Sequence, residues 1–284
     1  MGDPPAFPAA VAVLTEAVAA AGTTDGDDHN HHHHAQVSTS QGAVAVASML
    51  LMYESAARRR IDDTEVIVEF GAGYGLMCNA LMTNLRFSGL YIIFDTPVMN
   101  ALQRYFLESN GVRVYASVDS FRRVQSSATA GVGWGGDVES MSGVVLVSTM
   151  ADLKQIVALA AVDNWDTGLL RGRRRRATTF IAHWSLSEAP TELRNAVLQL
   201  VKGFDHFFMA YQDHDSSRIG NTRGNRLWFN FNFRDTVEGT LRSEEGGSKR
   251  LASGGGLEDL FVWTDFRHPF ERCAYCVTCF KTNT

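Results

Sequence analysis

The chain has 284 residues, 45% of them apolar and 20% charged, with a formal net charge of −5. That length and composition suit one large α/β domain with an extension, with enough apolar material to cover both faces of a central sheet. The negative balance gives no general basic field for nucleic acid, and no apolar run reaches the roughly 18–20 residues that span a bilayer.

Residues 1–40 read as a flexible extension, and 41–284 as the main α/β domain. Ala9 to Ala21 suits a short helix. No positive region precedes it, so it is not read as a secretory signal, and a cytoplasmic location is expected. Thr23 to His34, with His29 and His31 to His34, is too polar to bury a core and reads as a solvated linker. Adventitious metal binding by its histidines is the alternative.

From Gly42 the pattern becomes regular. Val46, Met49, Leu50 and Tyr53 recur at i, i+3, i+4, i+7, which predicts a helix ending near Arg58–Arg60. Val66–Phe70 is a short apolar run expected of a doubly buried strand. A glycine-rich turn leads to a helix over about Leu76–Leu85. Leu90–Phe94 is a second strand, ending at Asp95. The next helix has Val98, Leu102, Tyr105 and Phe106 on one face. Val112–Tyr115 reads as a short strand, 124–141 as a surface loop, Val144–Val147 as a strand and Ala151–Val162 as a helix. Thr178–His183 is the next strand, after an arginine-rich interruption at Gly172–Ala177. A helix with Leu193, Val197, Leu200 and Val201 on one face follows, then a strand at His206–Tyr211 and a helix near Asn225–Asp235. Two closing strands, near Leu260–Trp263 and Tyr275–Phe280, suggest an antiparallel hairpin. Strands alternating with helices predict a mostly parallel sheet covered on both sides.

Four cysteines are present, Cys78, Cys273, Cys276 and Cys279. Their spacing is not a secreted disulfide framework, so a reducing compartment is expected. The C-x2-C-x2-C run lacks a fourth ligand nearby and reads as part of a terminal strand; no metal is expected.

The segment Glu69-Phe70-Gly71-Ala72-Gly73-Tyr74-Gly75 lies between a predicted strand and a predicted helix. Glycines there let the backbone bend sharply and meet a ligand with no Cβ in the way. A dinucleotide fingerprint would put its third glycine at position 76, which is Leu76, and the lysine of a P-loop is missing. S-adenosylmethionine needs no pyrophosphate cradle. Asp95, about twenty residues on, is placed to accept ribose hydroxyls.

Three segments, Val68 to Gly75, Tyr91-Ile92-Ile93-Phe94-Asp95-Thr96-Pro97 and Leu102-Gln103-Arg104-Tyr105-Phe106-Leu107, resemble the sugar O-methyltransferase family. His183-Trp184-Ser185-Leu186-Ser187-Glu188 is similar to its S-L-x-E-M segment, and the likeness covers roughly residues 40–281. Departures are Thr96 where the family has Leu and Ala189 where it has Met. The resemblance implies a Rossmann-like class I methyltransferase sheet of seven strands in order 3-2-1-4-5-7-6. Glu69, Gly71, Gly73, Gly75, Asp95 and Thr96 would hold S-adenosylmethionine.

The acceptor is expected over the carboxyl ends of the strands. A sugar hydroxyl needs a base, and histidine suits that work near neutral pH. His183 is the first candidate and His214 the second, with Asp213 orienting a histidine or binding the acceptor, and Trp184 and Gln212 facing it. His183 as an ordinary core histidine is the alternative. Ser185-x-x-Glu188 also fits a helix capping box, with Pro190 in the first turn. Arg173–Arg176 reads as a solvated loop or an attractor for an anionic acceptor. His183-Trp184-Ser185-Leu186 replaces the N/D-P-P-Y segment of nucleobase amino methylation. The expected acceptor is a glycan or other small molecule, not nucleic acid. A phenol or carboxylate O-methyltransferase and a catalytically silent adenosyl-binding subunit remain the other readings.

Overall fold

The computed structural model describes residues 46, 49–50, 53–54, 60–61, 64–130, 142–161, 177–212, 225, 228–233, 235–237, 239, 261–267 and 274–281. In chain order the strands are β1 (Val66–Phe70), β2 (Leu90–Phe94), β3 (Val114–Tyr115), β4 (Gly143–Val147), β5 (Thr178–His183), β6 (His206–Gln212), β7 (Phe261–Arg267) and β8 (Ala274–Lys281). The helices are α1 (Leu76–Asn79), α2 (Pro97–Ser109), α3 (Val118–Ala130), α4 (Met150–Ala161), α5 (Ser185–Glu188) and α6 (Thr191–Val201). The chain forms two compact units, one of the described residues up to Glu65 with Ala72–Ser148, the other of Val66–Gly71 with the described residues from Thr149 on.

In the first unit β4 lies between β3 and β2, all parallel. Every residue of β2 and β4 is buried, as expected of strands covered on both faces. Val46, Met49, Leu50 and Tyr53 are helical and buried, as their spacing predicts. Tyr115 and Phe121 meet edge to face at 5.2 Å, tying β3 to α3. That contact anchors a helix running to Ala130, so 124–130 is helical and not the predicted loop. Its Gln125-Ser126-Ser127 run is polar but carries no breaker, and composition alone hid the helix. The helix expected to reach Leu85 is also irregular: α1 gives way to a π-turn over Ala80–Asn84.

The second unit orders its strands β1-β5-β6-β8-β7. β1, β5 and β6 are parallel, with Val68 opposite Phe180 and Phe180 opposite Phe207. β8 runs antiparallel to both β6 and β7. These two orders match the parts of the expected 3-2-1-4-5-7-6 arrangement, with one correction. There are eight strands among the described residues instead of seven, because the two-residue β3 adds itself beside β4. The architecture is Rossmann-like α/β. No helix among the described residues is long and apolar enough to cross a membrane, and those residues contain no group of side chains that would hold a metal. Cys276 and Cys279 fall in β8, while Cys273 and the 1–40 extension lie outside the described residues.

The largest departure from expectation is α2. Val98, Leu102 and Tyr105, predicted to share a face with Phe106, are 72%, 45% and 76% exposed. The buried residues are Asn100, Gln103 and Leu107. The helix therefore turns two amides inward and an apolar stripe outward, the reverse of an ordinary amphipathic helix.

Candidate functional site

The glycine turn begins where β1 ends. Glu69, one residue from the strand's end, is buried and sits opposite Ile181. Gly71, Gly73 and Gly75 all have positive φ, at 69°, 56° and 85°, a region that costs other residues about 1–2 kcal/mol. Their surroundings differ. A Cβ on Gly71 would lie 2.1 Å from Ser185 Cβ, so the space is taken by protein. A Cβ on Gly73 would meet nothing within 4 Å among the described residues beyond its chain neighbours. Gly75 closes a tight turn by donating to Ala72 O at 2.9 Å, then caps α1 in the left-handed conformation. Only Gly73 has open space where sequence reasoning gave it to all three.

Asp95 continues the β2–β4 ladder one step past the strand, its N–H donating to Val147 O at 3.1 Å. Its carboxylate is held at both oxygens. Thr96 N–H donates to Oδ1 and Gln103 Nε2 to Oδ2, each at 2.8 Å. Gln103 Nε2 also donates to Gly73 O at 2.8 Å, so one buried amide joins the glycine turn to the predicted ribose-binding carboxylate. Thr96 caps α2, its hydroxyl oxygen accepting from Met99 N–H at 3.4 Å, with Pro97 in the first turn.

One turn away on the same inward face, Asn100 Nδ2 donates to Ser148 Oγ at 2.8 Å. Gln103 Oε1 and Asn100 Oδ1 are both buried with no hydrogen-bond partner among the described residues. Both of Gln103's nitrogen partners are acceptors, which fixes the orientation of its amide and leaves Oε1 as the unused atom. Sequence reasoning missed both residues. The available signal was two amides at i, i+3 on a helix, masked by the apolar residues at 98, 102 and 105.

In the second unit, β5 ends at His183, half-buried, with its ring edge-on to Phe208 at 4.8 Å. Trp184 follows with φ 60° and ψ −41°, a conformation non-glycine residues rarely adopt. Its N–H donates to Ala210 O at 2.7 Å and holds it there. The predicted capping box does not form. Ser185 is the first helical residue, not the cap, and its Oγ donates to Gly71 O at 2.8 Å. Pro190 precedes a separate helix, α6, as its cap. Gln212 is the last residue of β6, while Asp213 and His214 lie outside the described residues.

Arg194 is a further residue that sequence reasoning missed. Its buried guanidinium donates to Ala189 O at 2.7 Å, to Asn225 Oδ1 at 2.6 Å and to Ser187 O, and lies 5.8 Å from the Trp228 ring centre. Burial lowers its pKa from the ordinary value.

No family model matches the chain, and no curated protein matches it. The resemblance to sugar O-methyltransferases therefore gains no support from a family match. Solved structures similar to the chain include an O-methyltransferase family protein from Burkholderia thailandensis, at 10% identity and a TM-score of 0.39, covering 88% of this chain and 62% of that one. A magnesium protoporphyrin IX methyltransferase from Synechocystis PCC 6803 with bound S-adenosylmethionine is 11% identical, TM-score 0.39, covering 98% and 100%. An O-methyltransferase from Bacillus cereus in complex with S-adenosylhomocysteine is 12% identical, TM-score 0.37, covering 98% and 94%. The chain thus spans under two thirds of the Burkholderia protein. These likenesses are loose, and what each neighbour binds or methylates belongs to that neighbour.

Proposed function

We propose that the chain is an S-adenosylmethionine-dependent O-methyltransferase whose acceptor is a small-molecule hydroxyl, a sugar or glycan first. One observation carries the reading: Asp95 and Gly73 are joined through Gln103, and among the described residues nothing but Gly73's own chain neighbours lies within 4 Å of where its side chain would begin. Asp95 Oδ1 and Oδ2 each accept one hydrogen bond, and a carboxylate accepts about four. The remaining lone pairs suit two vicinal ribose hydroxyls. Gln103, fully buried, holds that carboxylate from the protein side. The residues present in the first unit therefore fit an adenosyl group, held by Asp95, Gly73, Gly75 and Thr96; Glu69 and Gly71 are assigned to the cofactor from sequence position alone.

When bound, S-adenosylmethionine supplies a methyl group activated by its sulfonium. The chain's own part is alignment and proton removal. We assign His183 as the base from its place at the carboxyl end of β5, where open α/β sheets bind ligands. Trp184 offers the acceptor a flat face. Asp213, His214 and Gln212 are assigned to acceptor binding from sequence position.

The test has two stages. Calorimetric titration with S-adenosylhomocysteine comes first, and absence of binding ends the reading. Transfer of a labelled methyl group into fractionated extract comes second. Label in glycans supports the sugar acceptor, label in phenols or carboxylates replaces it, and binding without transfer makes the chain a silent adenosyl-binding subunit.

A further inference from the structure

We infer that Gln103 is a positioning residue that sets the Asp95 carboxylate for a cis-diol, so that recognition of the ribose depends on a group that need not touch it. The inference rests on the adenosyl-binding reading above. Gln103 is 0% exposed. A fully buried amide with one atom unsatisfied costs on the order of 1–3 kcal/mol, so an apolar residue would serve a purely structural helix face better. The next inward residue, Leu107, is of that kind.

The geometry says what the amide does instead. Its two N–H bonds diverge to Gly73 O and Asp95 Oδ2, both at 2.8 Å. Thr96 N–H already holds Oδ1. With each oxygen gripped by one donor, the carboxylate plane has little rotational freedom. Its remaining lone pairs are presented in a fixed direction, a preorganisation that lowers the cost of binding. The same amide fixes the carbonyl of Gly73, whose own side carries open space. Pinning the turn and the carboxylate by one group keeps their spacing constant when the ligand leaves.

The experiment compares two ligands, S-adenosylhomocysteine and its analogue lacking both ribose hydroxyls, on the full chain. Gln103→Met keeps the side chain's length and removes the donors. It is expected to weaken the diol ligand by roughly tenfold and the diol-free analogue by less than about twofold. Leu107→Ala, on the same face, should lower the melting temperature and leave the ratio of the two affinities unchanged. Gln103→Glu provides a second route: its carboxylate faces Asp95, so diol affinity should fall at neutral pH and recover as acid protonates it. Equal weakening of both ligands by Gln103→Met, or none, overturns the inference. If that variant does not fold, a Gln103→Glu protein whose diol affinity is flat with pH overturns it. If the wild-type chain binds neither ligand, the adenosyl reading itself has failed.

Discussion

Helices α2 and α6 make the same unusual choice with opposite results. Each turns a polar side chain inward where a leucine would be expected. On α6 the inward arginine sits among Val197, Leu198 and Val201, and its donors go to Ala189 O, Asn225 Oδ1 and Ser187 O. On α2 the inward amides give their N–H groups to Gly73, Asp95 and Ser148 and keep an oxygen each in reserve. Every donor named for Arg194 meets protein, as in a structural tie, whereas Gln103 and Asn100 each leave one buried oxygen without a partner among the described residues. On the proposed adenosyl-binding reading, the comparison separates a polar residue that holds the fold from two that stand behind a ligand.

The strongest way to break it is Arg194→Met. Removing the guanidinium leaves Ala189 O, Asn225 Oδ1 and Ser187 O without their charged donor, and stability should fall by about 3–5 kcal/mol. Denaturant unfolding measures it, and a loss under about 1 kcal/mol would show that the tie is not structural. Next in size is a contrast within the glycine turn. Gly71→Ala places a Cβ 2.1 Å from Ser185 Cβ, an atom one bond from the backbone, and should cost about 2–3 kcal/mol of stability. Adding Ser185→Gly removes the clash and should return part of that, leaving the cost of the positive φ and of the lost Ser185 hydrogen bond. Gly73→Ala meets open space, so its stability loss should stay near 1 kcal/mol, from the positive φ alone, while S-adenosylhomocysteine affinity drops by roughly tenfold or more. If Gly73→Ala proves the more damaging to stability, the assignment of the two glycines is reversed. The smallest effect is expected on the outer face of α2. Tyr105→Lys, at a position 76% exposed, should change stability by no more than about 0.5 kcal/mol in the same unfolding measurement.

Much of the fold was legible because the strands announce themselves. Val66–Phe70, Leu90–Phe94 and Thr178–His183 are short unbroken apolar runs, and burial on both faces is what produces such runs. The glycine turn and Asp95 were readable for a similar reason, since backbone conformation and charge are local properties. The inward face of α2 was not. Periodicity assumes that apolar residues point to the core, and at Val98, Leu102 and Tyr105 that assumption fails, because the inward space is lined with Asp95, Ser148 and a bare carbonyl. Ser185 misled differently. Its spacing to Glu188 fits a capping box, but Trp184 adopts an unusual conformation just before it, shifting the helix start by one residue and freeing the hydroxyl for Gly71. Arg194 could not be read at all, since its partners lie at 187, 189 and 225 and only the folded chain brings them together.

Trp184 carries a consequence for how this chain tolerates change. A tryptophan at φ 60° is kept in place against its own backbone preference, which costs on the order of 1–3 kcal/mol. Glycine relieves the side-chain part of that strain, so Trp184→Gly exchanges an aromatic ring at the end of β5 for backbone ease. The ring is thus carried at a cost in stability, of the kind selection for thermal endurance alone would remove.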